Sequence, residues 1–87
     1  MKYKICWIDS TLKENWKTRQ KVDGVKYTKE ADSGDGWIDY EAEHTFWAKS
    51  DTEAKEYARN YDFEIRDVEV WSLYNEVGGR LMTEEDL

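Results

Sequence analysis

From residue 37 to residue 48 an alternation separates a largely apolar side from an acidic side flanked by two tryptophans. Ile38, Tyr40, Ala42, His44, Phe46 and Ala48 fall on one side, and Trp37, Asp39, Glu41, Glu43, Thr45 and Trp47 on the other. A period of two predicts a strand whose first set faces a core. A second strand is expected over Lys2–Ile8, with Tyr3, Ile5 and Trp7 opposed to Lys4, Cys6 and Ile8, so that both faces are partly covered. A third runs from about Asp67 to Tyr74, setting Val68, Val70 and Tyr74 against Trp71 and Leu73. Phe63 and Ile65 are out of phase with Val68 and Val70, which predicts a loop or bulge near Arg66-Asp67. Gly78-Gly79 ends that element, Arg80-Leu81-Met82 returns as a short strand, and Thr83–Leu87 is expected to fray as an acidic tail.

The period changes after Ala48. Ser50-Asp51-Thr52-Glu53 is a capping box, in which Ser50 receives the Glu53 amide and Glu53 reaches back. The helix runs over about 51–60 with Ala54, Tyr57, Ala58 and Tyr61 facing inward. Residues 11–31 admit two readings. Thr11-Leu12-Lys13-Glu14 has the form of a capping box, with Leu12 and Trp16 one helical turn apart. Asp23-Gly24 is a two-residue hairpin signal. It pairs Val22 with Val25, and sets Trp16, Thr18, Gln20 and Val22 on the face of Val25, Tyr27, Lys29 and Ala31. The hairpin organises more residues and is preferred. Asp32-Ser33-Gly34-Asp35-Gly36 is a turn cluster. The sum is a single α+β domain over residues 1–87, a two-layer arrangement of four or five antiparallel strands packed by one helix.

Composition changes this picture in one respect. Charged residues make up 38% of the chain, which alone would suggest disorder, but five Trp, six Tyr and two Phe do not. A core built from a few large rings is expected instead. One His, one Cys and no Gly-rich nucleotide loop leave little catalytic hardware, so a non-enzymatic role without cofactor or metal is expected. Cys6 has no intrachain partner, and the first residues show neither a long apolar run nor a small-residue cleavage site, so a reducing, cytoplasmic setting is expected.

Charge is unevenly placed. Residues 1–29 hold eight Lys/Arg against three acids, and residues 30–87 hold five against seventeen, giving the net −7 of the whole chain. In a strand Asp39, Glu41 and Glu43 stand about 6.6–6.8 Å apart on one face, close to the spacing of phosphates along a nucleic-acid strand. A basic groove that neutralises phosphates would accept such a row, with Trp37 and Trp47 as aromatic anchors. Asp35, Glu64, Asp67 and Glu69 extend this candidate partner-binding set. The same row also serves plain solubility. A second candidate is the basic segment: Trp16, Lys17, Arg19, Lys21 and Lys26 could meet nucleic acid through phosphates and stacking, although an overall pI near 4.7 argues against it. His44, on the apolar side of its strand, reads as a hydrogen-bonded core residue and Cys6 as a small buried hydrophobe. Residues 31–42 do not make a Ca²⁺ loop, because Ala31 and Ala42 occupy ligand positions that need acids.

The junction Phe46-Trp47-Ala48-Lys49-Ser50-Asp51-Thr52-Glu53-Ala54-Lys55-Glu56-Tyr57-Ala58 resembles one found in small phage and mobile-element proteins. There a strand ending aromatic-x-Ala-x-Ser runs into a helix starting Asp-x-Glu-Ala. With Val68–Tyr74 as the next strand, about 30 residues are similar to the β-β-α-β cores of small anti-CRISPR and other counter-defence proteins. The resemblance implies an inhibitor that acts by occupancy on a nuclease or effector complex, and it carries over no functional residue. A self-assembling module, burying Trp37, Trp47 or Trp71 across a symmetric dimer, is a further expectation.

Overall fold

The computed structural model describes residues 1–86 except 22, 62–67 and 69, and of Lys29 the backbone alone. Five strands form one antiparallel sheet: β1 (Lys2–Leu12), β2 (Lys26–Asp32), β3 (Trp37–Trp47), β4 (Val70–Tyr74) and β5 (Arg80–Thr83). Their order is β2-β3-β1-β4-β5. Two helices accompany them, the single turn α1 (Trp16–Arg19) and α2 (Asp51–Arg59). The α+β class and the antiparallel sheet are those the alternation predicts.

The strand β1 is central and longer than expected. It pairs along its whole length with β3, from Lys2 against Trp47 to Leu12 against Trp37. On its other side Lys4 to Ile8 pair with Tyr74 to Val70. This register stacks Tyr3, Ile5 and Trp7 beside Phe46, Ala42, Trp71 and Leu73, all buried. Burial is confined to this face. Each large apolar side chain there contributes about 1.5–3 kcal/mol by leaving water, which a domain of this size needs.

The helix α2 covers one end of the core face. Ser50 accepts the Glu53 amide at 3.2 Å, as expected, while the Glu53 carboxylate reaches one residue further back, to the Lys49 amide at 3.0 Å. Ala54 and Ala58, one turn apart and both buried, let the helix axis come close to the sheet. Tyr57 stacks on Phe46 with ring centroids 3.9 Å apart, also meets the His44 ring, and remains 41% exposed. The buried Tyr3 hydroxyl donates to Asp51 at 2.8 Å, and burial together with that carboxylate pushes its pKa up to about 12.

The preferred hairpin is not formed. Residues 13–19 make a 3-10 turn followed by α1, and β2 pairs with β3 rather than with residues 16–21, Val22 lying outside the described residues. An aromatic cluster accompanies this path: Trp16, at the start of α1, lies 5.4 Å from Tyr27 and 5.3 Å from Tyr40 on the core side of the sheet. Gly24 does adopt a positive φ of 75°, so the turn expected there exists but joins a helix to a strand. The capping box expected at Thr11 is absent too, since Thr11 is buried at the end of β1 and Leu12 occupies the cap position without a side-chain bond. A register shift between Tyr27 and Lys29 breaks the expected phase of β2. The hairpin that does form joins β2 to β3 through residues 33–36. The bulge expected near Arg66-Asp67 lies outside the described residues. After β5, residues 84–86 form a 3-10 turn, in which Glu84 accepts the Trp71 amide at 3.0 Å and Asp86 the Thr83 amide at 2.8 Å.

Candidate binding surface on the open sheet face

Both helices lie on one side, and among the described residues no element covers the other side of the sheet. Each side chain there is placed by the alternation of its strand, and the register decides which ones meet. Reading along β3, the cross-strand pairs with β1 are Trp47 with Lys2, Thr45 with Lys4, Glu43 with Cys6, Glu41 with Ile8, Asp39 with Ser10 and Trp37 with Leu12. Ile8 is also paired with Val70 of β4. A shallow trough of about 880 Å³ follows the middle of this face, between Glu41 and Glu43 on one side and Val70, Ser72 and Tyr74 on the other.

The predicted partner-binding residues of β3 are thus brought together as expected. Trp47 is 72% exposed and Trp37 43%, and the ten residue steps from one to the other span about 33 Å. Between the two rings the acidic row is graded. Asp39 is exposed, whereas Glu41 and Glu43 are half-buried. Glu43 is also engaged, with Lys4 at 3.4 Å from its Oε2 and Lys26 of β2 at the register position on its other side. Lys29 holds the same position opposite Glu41. The face is therefore mixed in charge, not a bare ladder of carboxylates. Lys2 and Lys4 stand at the Trp47 end, and Asp39, an exposed carboxylate with no ion pair among the described residues, marks the Trp37 end.

Asp35 does not join this row. It sits in the β2–β3 turn, accepting the Ser33 hydroxyl and, at 3.3 Å, the Trp37 amide. Gly34 and Gly36 take positive φ of 80° and 90° there, and Asp32 accepts the Gly34 amide at 2.9 Å and Lys13 Nζ at 2.8 Å. Lys13 and then the Gly34 amide hold the Asp32 carboxyl below its usual range. Glu64, Asp67 and Glu69 lie outside the described residues.

The basic candidates are divided. Trp16 is half-buried against Tyr27 and Tyr40 on the core side, and the Arg19 carbonyl accepts the Tyr27 hydroxyl. Lys17 and Lys21 are exposed in and after α1, while Lys26 belongs to the opposite, open face through its pairing with Glu43. No single surface collects these five residues.

Sequence reasoning did not bring out the apolar centre of the open face. Ile8 is 55% exposed and Val70 51%, and they are neighbours in the register. The signal was present in the alternation of β1, where Ile8 shares a side with Lys4 and Cys6. Cys6 lies in the same trough, half-buried; burial pushes its thiol up, Lys4 pulls it down, and Glu43 and Glu41 add to the rise. His44 has the hydrogen-bonded role expected of it. Its Nδ1 is 2.7 Å from the Gly24 carbonyl, its Nε2 is 2.7 Å from the Tyr57 hydroxyl, and its ring stacks on Tyr61 at 4.7 Å. Both nitrogens are occupied in tying the loop before β2 to α2.

Among the described residues no helix is long and apolar enough to cross a membrane, and no group of three His, Cys, Asp or Glu is placed to hold a metal ion. Comparison of the chain with models of known protein families, with curated proteins and with solved structures finds no match.

Proposed function

We propose that the chain is a non-enzymatic inhibitor that binds a basic protein surface through the open face of its sheet. The observation that carries this reading is the placement on one uncovered face of two exposed tryptophans, an apolar centre and the acids Asp39 and Glu41. Anchors of this kind, ringed by polar groups, are what protein interfaces concentrate at their centres. The net charge of −7 adds a long-range attraction for a positively charged partner.

The particular form is a phage-type counter-defence protein of the anti-CRISPR kind, supported by the likeness of the Phe46–Ala58 junction. It acts in the host cytoplasm by filling the nucleic-acid groove of a nuclease or effector complex. Because Glu43 is already held by Lys4, Asp39 and Glu41 carry the charge contacts, and Trp37 and Trp47 supply the apolar ones.

The test is target-DNA cleavage by a panel of purified CRISPR effector complexes, with the wild-type chain and with Asp39→Lys/Glu41→Lys. The wild type blocks cleavage by one complex, less well at high salt, and the double variant fails to block it although it is folded. A double variant that inhibits as well as the wild type overturns the role of the acidic row, and a panel that is cleaved unchanged overturns the anti-CRISPR form.

A further inference from the structure

The charge on the open face is arranged so that the face complements itself. Lys2 and Lys4 lie at its Trp47 end, and the exposed Asp39 lies toward its Trp37 end, with Ala42 midway along β3. We infer that two copies of the chain pair through these faces, about a two-fold axis that runs across the strands near Ala42. Such an axis lays the Trp47 end of one copy over the Trp37 end of the other, in the self-complementary manner of two-fold interfaces.

Sheets packed face to face stand roughly 10 Å apart, a gap that a lysine and an aspartate bridge from opposite sides. Lys4 of each copy then lies over Ser10 of the other, one strand of about 4.8 Å from that copy's Asp39 and within reach of it, and the Lys2 stem covers Leu12 and the neighbouring Trp37. In the centre, Ile8 and Val70 of one copy meet Cys6 and Ser72 of the other, removing the half-exposed apolar surface from water. Like charges are brought near at two levels, Glu41 over Glu43 and the Lys26 position over the Lys29 position. Lys4 at 3.4 Å already neutralises Glu43, however, and each of the two lysine positions lies one strand from a glutamate of the other copy. An axis along the strands would instead put Lys2 over Trp47 and Asp39 over Ser10, with no opposite charges in contact. The charge pattern therefore selects the crosswise axis.

The size of the face sets the strength. Five strands of the observed lengths, at about 3.3 Å per residue and about 4.8 Å between strands, present about 600 Å² per copy. The total of about 1,200 Å² is at the lower limit for a stable interface, which makes this an exchanging dimer with micromolar dissociation. The inference rests on the same face as the proposed function. A basic partner and a second copy exclude one another, and the dimer is the resting form.

Sedimentation velocity of the full chain over roughly 1–500 µM tests this. The mass rises from one chain to two across that range. Asp39→Lys alone and Lys4→Glu alone stay monomeric over this range, a weakening of at least several hundredfold, because both copies of the contact become repulsive. An equimolar mixture of the two variants restores a dimer, because each supplies the charge the other has lost in both copies of the contact. A wild type that is monomeric at the highest concentration overturns the inference, as does a mixture no heavier than its components.

Should Lys4→Glu fail to fold by circular dichroism, Ile8→Asp replaces it. That variant leaves Lys4 and Glu43 untouched and puts a charge at the centre of the interface, so a dimer that survives it also overturns the inference. Failure of the dimer and failure of the inhibitor reading are separable. Lys4→Glu abolishes the dimer yet keeps Asp39 and Glu41 for a basic partner, so inhibition persists in a chain that no longer self-associates.

Discussion

Ile5 and Ile8 provide a controlled comparison, since they are the same residue type in the same strand on opposite faces. Ile5 is 0% exposed, between His44 of β3 and Leu73 of β4, whereas Ile8 is 55% exposed. Ile5→Ala removes buried methyl and methylene groups from a site packed on all sides, so lost transfer energy and residual cavity together cost about 3 kcal/mol. Ile8→Ala gives up only partial burial and some strand propensity, at most about 1 kcal/mol. At roughly 0.05–0.15 kcal/mol per residue the whole domain is stable by about 4–13 kcal/mol, so the first change consumes a large share and the second little. Urea denaturation at submicromolar protein, below the dissociation constant of any dimer, reads the difference directly. With an m-value of about 1–1.5 kcal/mol/M, Ile5→Ala lowers the midpoint by about 2 M or more and Ile8→Ala by less than about 1 M. Equal shifts for the two variants would refute the one-sided core, and with it the open face on which the functional reading depends.

Further outcomes follow from individual contacts. Ser50→Ala removes the acceptor for the Glu53 amide and costs about 1 kcal/mol in thermal or chemical denaturation, while Ser50→Asp keeps the cap and costs only a few tenths. Asp32 has a carboxyl pKa lowered by Lys13 and the Gly34 amide, so its stabilising contribution is present above about pH 4 and is lost as the pH falls through the lowered value. Asp32→Asn therefore loses less stability than the wild type between pH 7 and pH 3, read as the change in melting temperature. Cys6, whose thiol is raised chiefly by burial, reacts with iodoacetamide at pH 8 more slowly than glutathione does, and urea removes the difference.

Much of the fold was legible because two of its elements are specified locally. The alternation of β3 fixed which residues face the core, and the Ser50–Glu53 cap fixed where α2 begins. The segment 11–31 was misread although its turn chemistry was right. Gly24 does turn the chain, but Trp16 lies in a helix, and its contacts with Tyr27 and Tyr40 span up to 24 residues of sequence. Leu12 and Trp16 at helical spacing were the competing signal, but Leu12 ends β1 on the open face while Trp16 begins α1 on the core side, so neither local signal decides the segment. The binding face was half legible for a related reason. Alternation alone groups Trp37, Asp39, Glu41, Glu43 and Trp47, but only the sheet order brings Lys4 of β1 and Lys26 of β2 to the sides of Glu43. A row that looks purely acidic within one strand is therefore mixed once its neighbours are in register.

The central claim is that Asp39 and Glu41 on the open face hold a basic protein partner. Its most direct test is a pull-down from host lysate at moderate salt, with immobilised wild type beside Asp39→Lys/Glu41→Lys and elution by a salt step. The account predicts that a basic nuclease or nucleoprotein complex is retained by the wild type, released by salt, and missing from the double variant. Retention of the same protein by both chains, or of nucleic acid alone by the wild type, would contradict it.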